Sequence, residues 1–192
     1  MTRTDAIHNF GLSPEKPVIT MIGGSQGSRT INRIVSASIE YLTDSLDTQI
    51  IWQTGTTHYK GLKHFESTYP SARLYPFLEE IGPAYSAADL VISRAGALTL
   101  AEITWCAKPS LLIPFPGAVA DHQTKNANGL KQVGAAVVLP EKDLSRERFI
   151  QEVENLLSNP KKLSQMGKAA GSLSISNSAE QIVDQVLSLA RG

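Results

Sequence analysis

One cysteine, Cys106, stands in a chain of 192 residues, so no internal disulfide can close. A lone thiol beside Trp105 in an apolar stretch reads as a buried structural cysteine and suits a reducing compartment. Net charge is lacking too, because 18 basic residues balance 18 acidic ones. That disfavours a nucleic-acid binder working through a broad basic field, while leaving room for a local patch. No apolar run nears the roughly 18–20 residues that span a bilayer. Residues 1–9 are polar, unlike a secretory leader. These absences lead to the expectation of a soluble, cytoplasmic chain that takes no nucleic acid as partner. There is no Asp-x-Asp and no His/Asp cluster, so neither a metal nor a cofactor is expected.

What is present is periodicity. The length suffices for one α/β domain with a full core. Short apolar runs at 18–22, 48–53, 72–77, 90–93, 109–114 and 135–139 read as six strands. Helical spacing between them predicts helices over about 31–46, 57–67, 79–87, 98–107 and 121–133. Ser145 caps a further helix, Asn159-Pro160 breaks it, and a helix resumes over 161–170. Asn177-x-x-Glu180 opens a last one. Strands that read as continuous apolar runs are covered on both faces. Six of them alternating with helices predict a Rossmann-like, doubly wound parallel sheet with a helical C-terminal tail. Residues 1–17, with Pro14 and Pro17, read as an incoming linker rather than an element, and residues 18–192 as the domain. Arg3 and Asp5 sit in that linker without a local reason.

The chemistry gathers in three turns that follow strands. Gly23-Gly24-Ser25-Gln26-Gly27 leaves the first strand and opens a helix, so its N–H groups can cradle a phosphate. It is not G-x-G-x-x-G and it lacks the P-loop lysine, so a dinucleotide is not favoured. Ser93-Arg94-Ala95-Gly96-Ala97-Leu98-Thr99 leaves the fourth strand, and Glu102 follows three residues on. Thr99-x-x-Glu102 is either a capping box or a ligand-binding carboxylate, and its spacing allows both. Residues 117–127 leave the fifth strand, with Asp121 placed to cap a helix and His122 and Gln123 in its first turn. His122 reads either as structural or as a proton carrier. In a parallel sheet these turns share the carboxyl edge, where ligands bind. A ligand bearing both phosphate and hydroxyls, such as a nucleotide sugar, suits all three.

Gly-Gly-Ser-Gln-Gly-Ser at 23–28, Ser-Arg-Ala-Gly-Ala-Leu-Thr-Leu-Ala-Glu at 93–102, and Pro-Phe-Pro…Asp-His-Gln-Thr-Lys-Asn-Ala at 114–127 resemble the MurG family of glycosyltransferases. The resemblance covers nearly the whole chain but only the C-terminal, donor-binding half of that two-domain GT-B architecture. It implies an inverting transfer of N-acetylglucosamine (GlcNAc) from UDP-GlcNAc to lipid I, forming lipid II for peptidoglycan. It further implies that Ser25 and the N–H groups around Gly24, Gln26 and Gly27 hold the donor diphosphate. Arg3 resembles an interdomain arginine near the phosphates, and Phe77-Leu78 a segment whose backbone reads the uracil. Glu102 would bind the ribose hydroxyls. Ala97, Leu98 and Thr99, in the turn with Arg94 and Gly96, would line the diphosphate and sugar. His122 and Gln123 would meet GlcNAc hydroxyls, although family members often carry two glutamines there. The catalytic base and the lipid I site would belong to an acceptor domain outside this chain. Membrane contact is expected only of the full enzyme, on the inner face of the membrane. Three other readings stand beside this one. They are a stand-alone UDP-sugar-binding subunit of a split GT-B transferase, a UDP-GlcNAc 2-epimerase-like enzyme, and a nucleotide-binding regulatory domain.

Overall fold

The computed structural model describes residues 1–24, 26–174, 183 and 185–189. Ser25 and the expected helix opening at Asn177 lie outside the described residues. In chain order the elements begin with α1 (Arg3–Asn9), β1 (Val18–Ile22), α2 (Arg29–Glu40) and β2 (Gln49–Gln53). Then come α3 (Thr56–Leu62), α4 (His64–Thr68), β3 (Ala72–Tyr75), α5 (Gly82–Ala87), β4 (Leu90–Ser93) and α6 (Ala97–Trp105). The chain continues through β5 (Ser110–Leu112), α7 (His122–Gln132), β6 (Ala136–Val138), α8 (Arg146–Leu157) and α9 (Pro160–Gly171). The six strands form one sheet in the order β3-β2-β1-β4-β5-β6, and every pair is parallel. The expected doubly wound sheet and helical tail are therefore present.

Alternation along β1 sends residues to two cores. Ile19 and Met21 pack with Ile50, Trp52 and Ile92 against α2 and α8. Thr20 and Ile22 face the opposite layer, where Thr20 Oγ1 donates to the Ala84 carbonyl of α5. One buried polar pair ties the layers: Trp52 Nε1 donates to Asn32 Oδ1 at 3.0 Å, and Asn32 Nδ2 donates to the Thr54 carbonyl. This holds α2 in register over β2, because each buried polar atom needs its partner.

The main departure from expectation is at the start. Residues 3–9, read as linker, form α1. Thr2 and Asp5 make a reciprocal capping box, and Ala6 and Ile7 bury beside Ala84 and Ala87 of α5. The contact with Thr2 lowers the Asp5 carboxyl below its usual value. The helix expected over 31–46 ends at Glu40 and passes into a π-helical turn, Tyr41–Ser45. The one expected over 57–67 divides at Lys63. Pro83 sits in the first turn of α5, so residues 79–81 stay outside the helix.

Candidate functional site

Because β1 and β4 pair in parallel, with Ile22 opposite Ser93, the turns that follow them leave the sheet side by side. The strand order reverses at this pair, which makes it the topological switch point.

The first turn is held by backbone packing. Gly27 has φ +77°, and a Cβ there would lie 2.1 Å from the Thr54 carbonyl oxygen. No other residue fits so close an approach. Ser28 caps α2 through Oγ, which accepts the Ile31 N–H. Gln53, buried at the end of β2, braces the turn from beneath. Its Nε2 donates to the Gly24 carbonyl at 3.1 Å, and its Oε1 accepts the Leu78 N–H at 2.9 Å.

The second turn is pinned from α7. Gln123 Oε1 accepts both the Ala95 N–H, at 3.2 Å, and the Phe115 N–H, at 3.0 Å. Asn126 Nδ2 donates to the Ala95 carbonyl. Arg94 donates to the Ile113 carbonyl, pairs with Glu141, and sets its guanidinium over the Phe115 ring at 5.4 Å. Gly96 is the N-cap of α6 and supplies no capping side chain, so the positive end of that helix is open at the rim.

Of the two readings of Thr99-x-x-Glu102, the capping box does not form, because the cap falls at Gly96 and Glu102 lies beyond the first turn. Glu102 Oε2 instead accepts the Tyr85 hydroxyl of α5 at 2.9 Å. Tyr85 is fully buried, and that burial, with the neighbouring Glu102 charge, pushes its phenol far above the ordinary tyrosine range. Asp121 occupies the N-cap of α7 but makes no side-chain cap, because it adopts a left-handed φ of 54° after Ala120 at 51°. His122 is exposed, with Nδ1 2.8 Å from the Val119 carbonyl, so Nε2 is the nitrogen left for another partner.

A cavity of about 320 Å³ unites the three turns: Gly23, Gly27 and Ser28 from the first, Arg94 from the second, Phe115 and Gln123 from the third. A second cavity, of about 540 Å³, lies between α5 and α6 and is lined by Ile81, Gly82, Tyr85, Glu102, Trp105 and Leu173. Ala97 and Leu98 are exposed on the first turn of α6, and Thr99 is half-buried. Phe77 is half-exposed, whereas the Leu78 side chain is buried and its N–H is taken by Gln53.

Arg3 is not brought to this rim. Its guanidinium pairs with Asp89 through Nε and Nη2 and donates to the carbonyls of Pro14 and Lys16. Asp89 also accepts the Val18 N–H, so this knot sits where β1 and β4 begin, at the amino edge. The five residues of β1 separate that edge from the glycine turn by about 16 Å. Helix α1 carries Arg3 there. Tyr85, Gln53, Asn126 and Glu141 join the site without having been singled out. For Gln53 a signal existed, a polar residue closing an apolar run at a strand's carboxyl end. Among the described residues no group of three or more His, Cys, Asp or Glu side chains could hold a metal, and no helix is long and apolar enough to cross a membrane.

Comparison with known proteins agrees with this geometry. Residues 18–186 match the family described as glycosyltransferase family 28 C-terminal domain. The UDP-N-acetylglucosamine–N-acetylmuramyl-(pentapeptide) pyrophosphoryl-undecaprenol N-acetylglucosamine transferase of Chlorobium limicola is 38% identical over 192 residues, covering 99% of this chain and 52% of the relative. The protein of the same name from Acetivibrio thermocellus is 37% identical over 186 residues, covering 96% and 50%. The chain thus spans about half the length of the curated relatives it matches. The crystal structure of Acinetobacter baumannii MurG superimposes with a TM-score of 0.82 at 28% identity, covering 98% of this chain and 53% of that one. UDP-GlcNAc 2-epimerase from Neisseria meningitidis shares the fold alone, with a TM-score of 0.67 at 14% identity, covering 97% and 47%. The chain belongs to the glycosyltransferase family 28 C-terminal domain family.

Proposed function

We propose that this chain is the donor-binding half of an inverting transferase that moves GlcNAc from UDP-GlcNAc to lipid I, forming lipid II. The observation that carries the reading is the single cavity into which three separate turns bring Gly27, Arg94 and Gln123. The diphosphate lies against the first glycine turn and the open N-terminus of α6, where N–H groups and Arg94 face developing negative charge. The uridine extends towards Glu102, whose carboxylate accepts both hydroxyls of a cis-diol. Because Gln123 Oε1 is already spent on two backbone N–H groups, Gln123 offers its amide N–H₂ to a sugar hydroxyl. His122 offers Nε2. Because the Leu78 N–H is spent, the 77–78 segment meets the base through its other backbone groups.

In the reaction the acceptor C4 hydroxyl attacks the anomeric carbon from the face opposite UDP. The new C–O bond forms as the anomeric C–O bond to UDP breaks, and UDP leaves with the electron pair. The hydroxyl proton passes to a base on the acceptor half. The full enzyme meets lipid I at the inner membrane face through that other half, so the isolated chain binds donor without transferring sugar.

Calorimetric titration of the 192-residue chain with UDP-GlcNAc, UDP-GalNAc and GDP-mannose tests the reading. The expected order of affinity is UDP-GlcNAc, then UDP-GalNAc, then GDP-mannose. Equal affinity for all three, or GlcNAc transfer to lipid I by the isolated chain, overturns it.

A further inference from the structure

We infer that Tyr85 is a positioning residue that makes the site select ribonucleotides, by holding the Glu102 carboxylate in the orientation that receives the ribose diol. The inference rests on the reading of Glu102 as the ribose ligand. A glutamate on a helix surface turns freely about its side-chain torsions, and its terminal torsion is broad. Reading a cis-diol requires the carboxylate plane to be fixed, because both hydroxyls must meet lone pairs at once. Tyr85 supplies that constraint. Its hydroxyl donates to Glu102 Oε2 at 2.9 Å. Its ring is itself fixed, being fully buried in the core cluster that holds Ala88, Val91, Leu100 and Ile103.

The contact leaves Glu102 Oε1 and the remaining Oε2 lone pair unclaimed by Tyr85, beside the cavity that both residues line. A phenol also suits the post, because it donates to a carboxylate without neutralising its charge. The walls beside the pair, Ile81 and Trp105, are apolar, with Trp105 largely exposed on the cavity side, so water competes poorly for the carboxylate where a nucleoside covers it.

The experiment is a pair of titrations, with UDP and with its 2′-deoxyribose analogue dUDP, on the wild-type chain, Glu102→Ala and Tyr85→Phe. A hydrogen bond to a charged group makes the expected wild-type preference for UDP about tenfold or more. Glu102→Ala removes that preference. Tyr85→Phe cuts it to about threefold or less, weakening UDP more than dUDP. If wild type and Glu102→Ala treat the two nucleotides alike, the Glu102 reading falls, and this inference with it. If those two behave as expected and Tyr85→Phe discriminates as wild type does, the role of Tyr85 alone falls. Equal weakening of both nucleotides by Tyr85→Phe marks a merely structural tyrosine and also overturns the inference. An independent readout needs no variant: the carbon-13 signal of the Tyr85 Cζ in the wild-type chain is expected to shift with UDP and much less with dUDP. Equal shifts count against it.

Discussion

Gln53 joins the Gly24 carbonyl to the Leu78 N–H through the two ends of one buried amide. The glycine turn after β1 and the loop after β3 therefore move as one piece, although β2 lies between their strands. Gln53→Leu keeps the volume and removes both bonds. It leaves the buried Leu78 N–H without a partner, while the Gly24 carbonyl keeps the Gly27 N–H, at a cost of about 1–3 kcal/mol. The expected outcome is lower stability in urea together with UDP-GlcNAc affinity weakened by about tenfold. Unchanged affinity in a folded variant would show that the two loops are positioned independently.

Gly27 and Gly24 both have positive φ, yet they differ in surroundings. A Cβ on Gly27 overlaps the Thr54 carbonyl and the Gly55 backbone, whereas one on Gly24 meets nothing within 4 Å. Gly24→Ala pays only for its backbone conformation, about 1–2 kcal/mol. Gly27→Ala adds a clash that displaces the turn, for about 2–5 kcal/mol in all, and donor binding falls with it. Denaturation midpoints and donor titrations of the two variants are expected to separate clearly, and equal losses would refute the close packing of the turn on residues 54–55.

The Tyr85 phenol makes stability depend on alkaline pH. Burial first, then the charge of Glu102 and the hydrogen bond to it, raise its pKa above the ordinary 10.0. Above that value the unfolded chain releases the proton and the folded chain keeps it, so the unfolded state binds fewer protons and stability falls as pH rises. Stability from this group is complete below the ordinary tyrosine value and is lost above it at about 1.4 kcal/mol per pH unit. Urea unfolding at about pH 9.5 and pH 11 is expected to show a steeper decline for wild type than for Tyr85→Phe. Parallel declines would mean that the phenol is not held protonated by the fold.

These residues mark the boundary of what the sequence makes legible. β1 and β4 are read to the residue because Val18–Ile22 and Leu90–Ser93 are buried on both faces, so their apolar runs have the length of the strands. The turns are legible as turns because glycine after a strand has a local reason. What braces them has none. Gln53, Gln123 and Tyr85 meet partners 8 to 29 residues away in sequence. The distance from Arg3 to Asp89 is 86 residues. Thr99 and Glu102 fail as a capping box for a related reason: Glu102 turns to a long-range partner, and Gly96 already ends the turn.

Arg3 provides the sharpest contrast between resemblance and geometry. The motif around it resembles one that meets donor phosphates, yet here the guanidinium is bound to Asp89 at the amino edge of β1 and β4. Lys108, half-buried near the same carboxylate, donates to the Ser86 and Ala88 carbonyls, and burial lowers its pKa. The edge is thus closed by two cations, an aspartate and backbone carbonyls, with α1 packed across α5 above it. Arg3→Ala removes a bidentate pair and two carbonyl contacts. Both partners of the pair are about a third exposed, so water screens the loss to about 1–2 kcal/mol. The expected result is a lower melting temperature with UDP-GlcNAc affinity within twofold of wild type. A large loss of affinity at unchanged stability would instead place Arg3 at the phosphates, with α1 leaving the amino edge when donor binds.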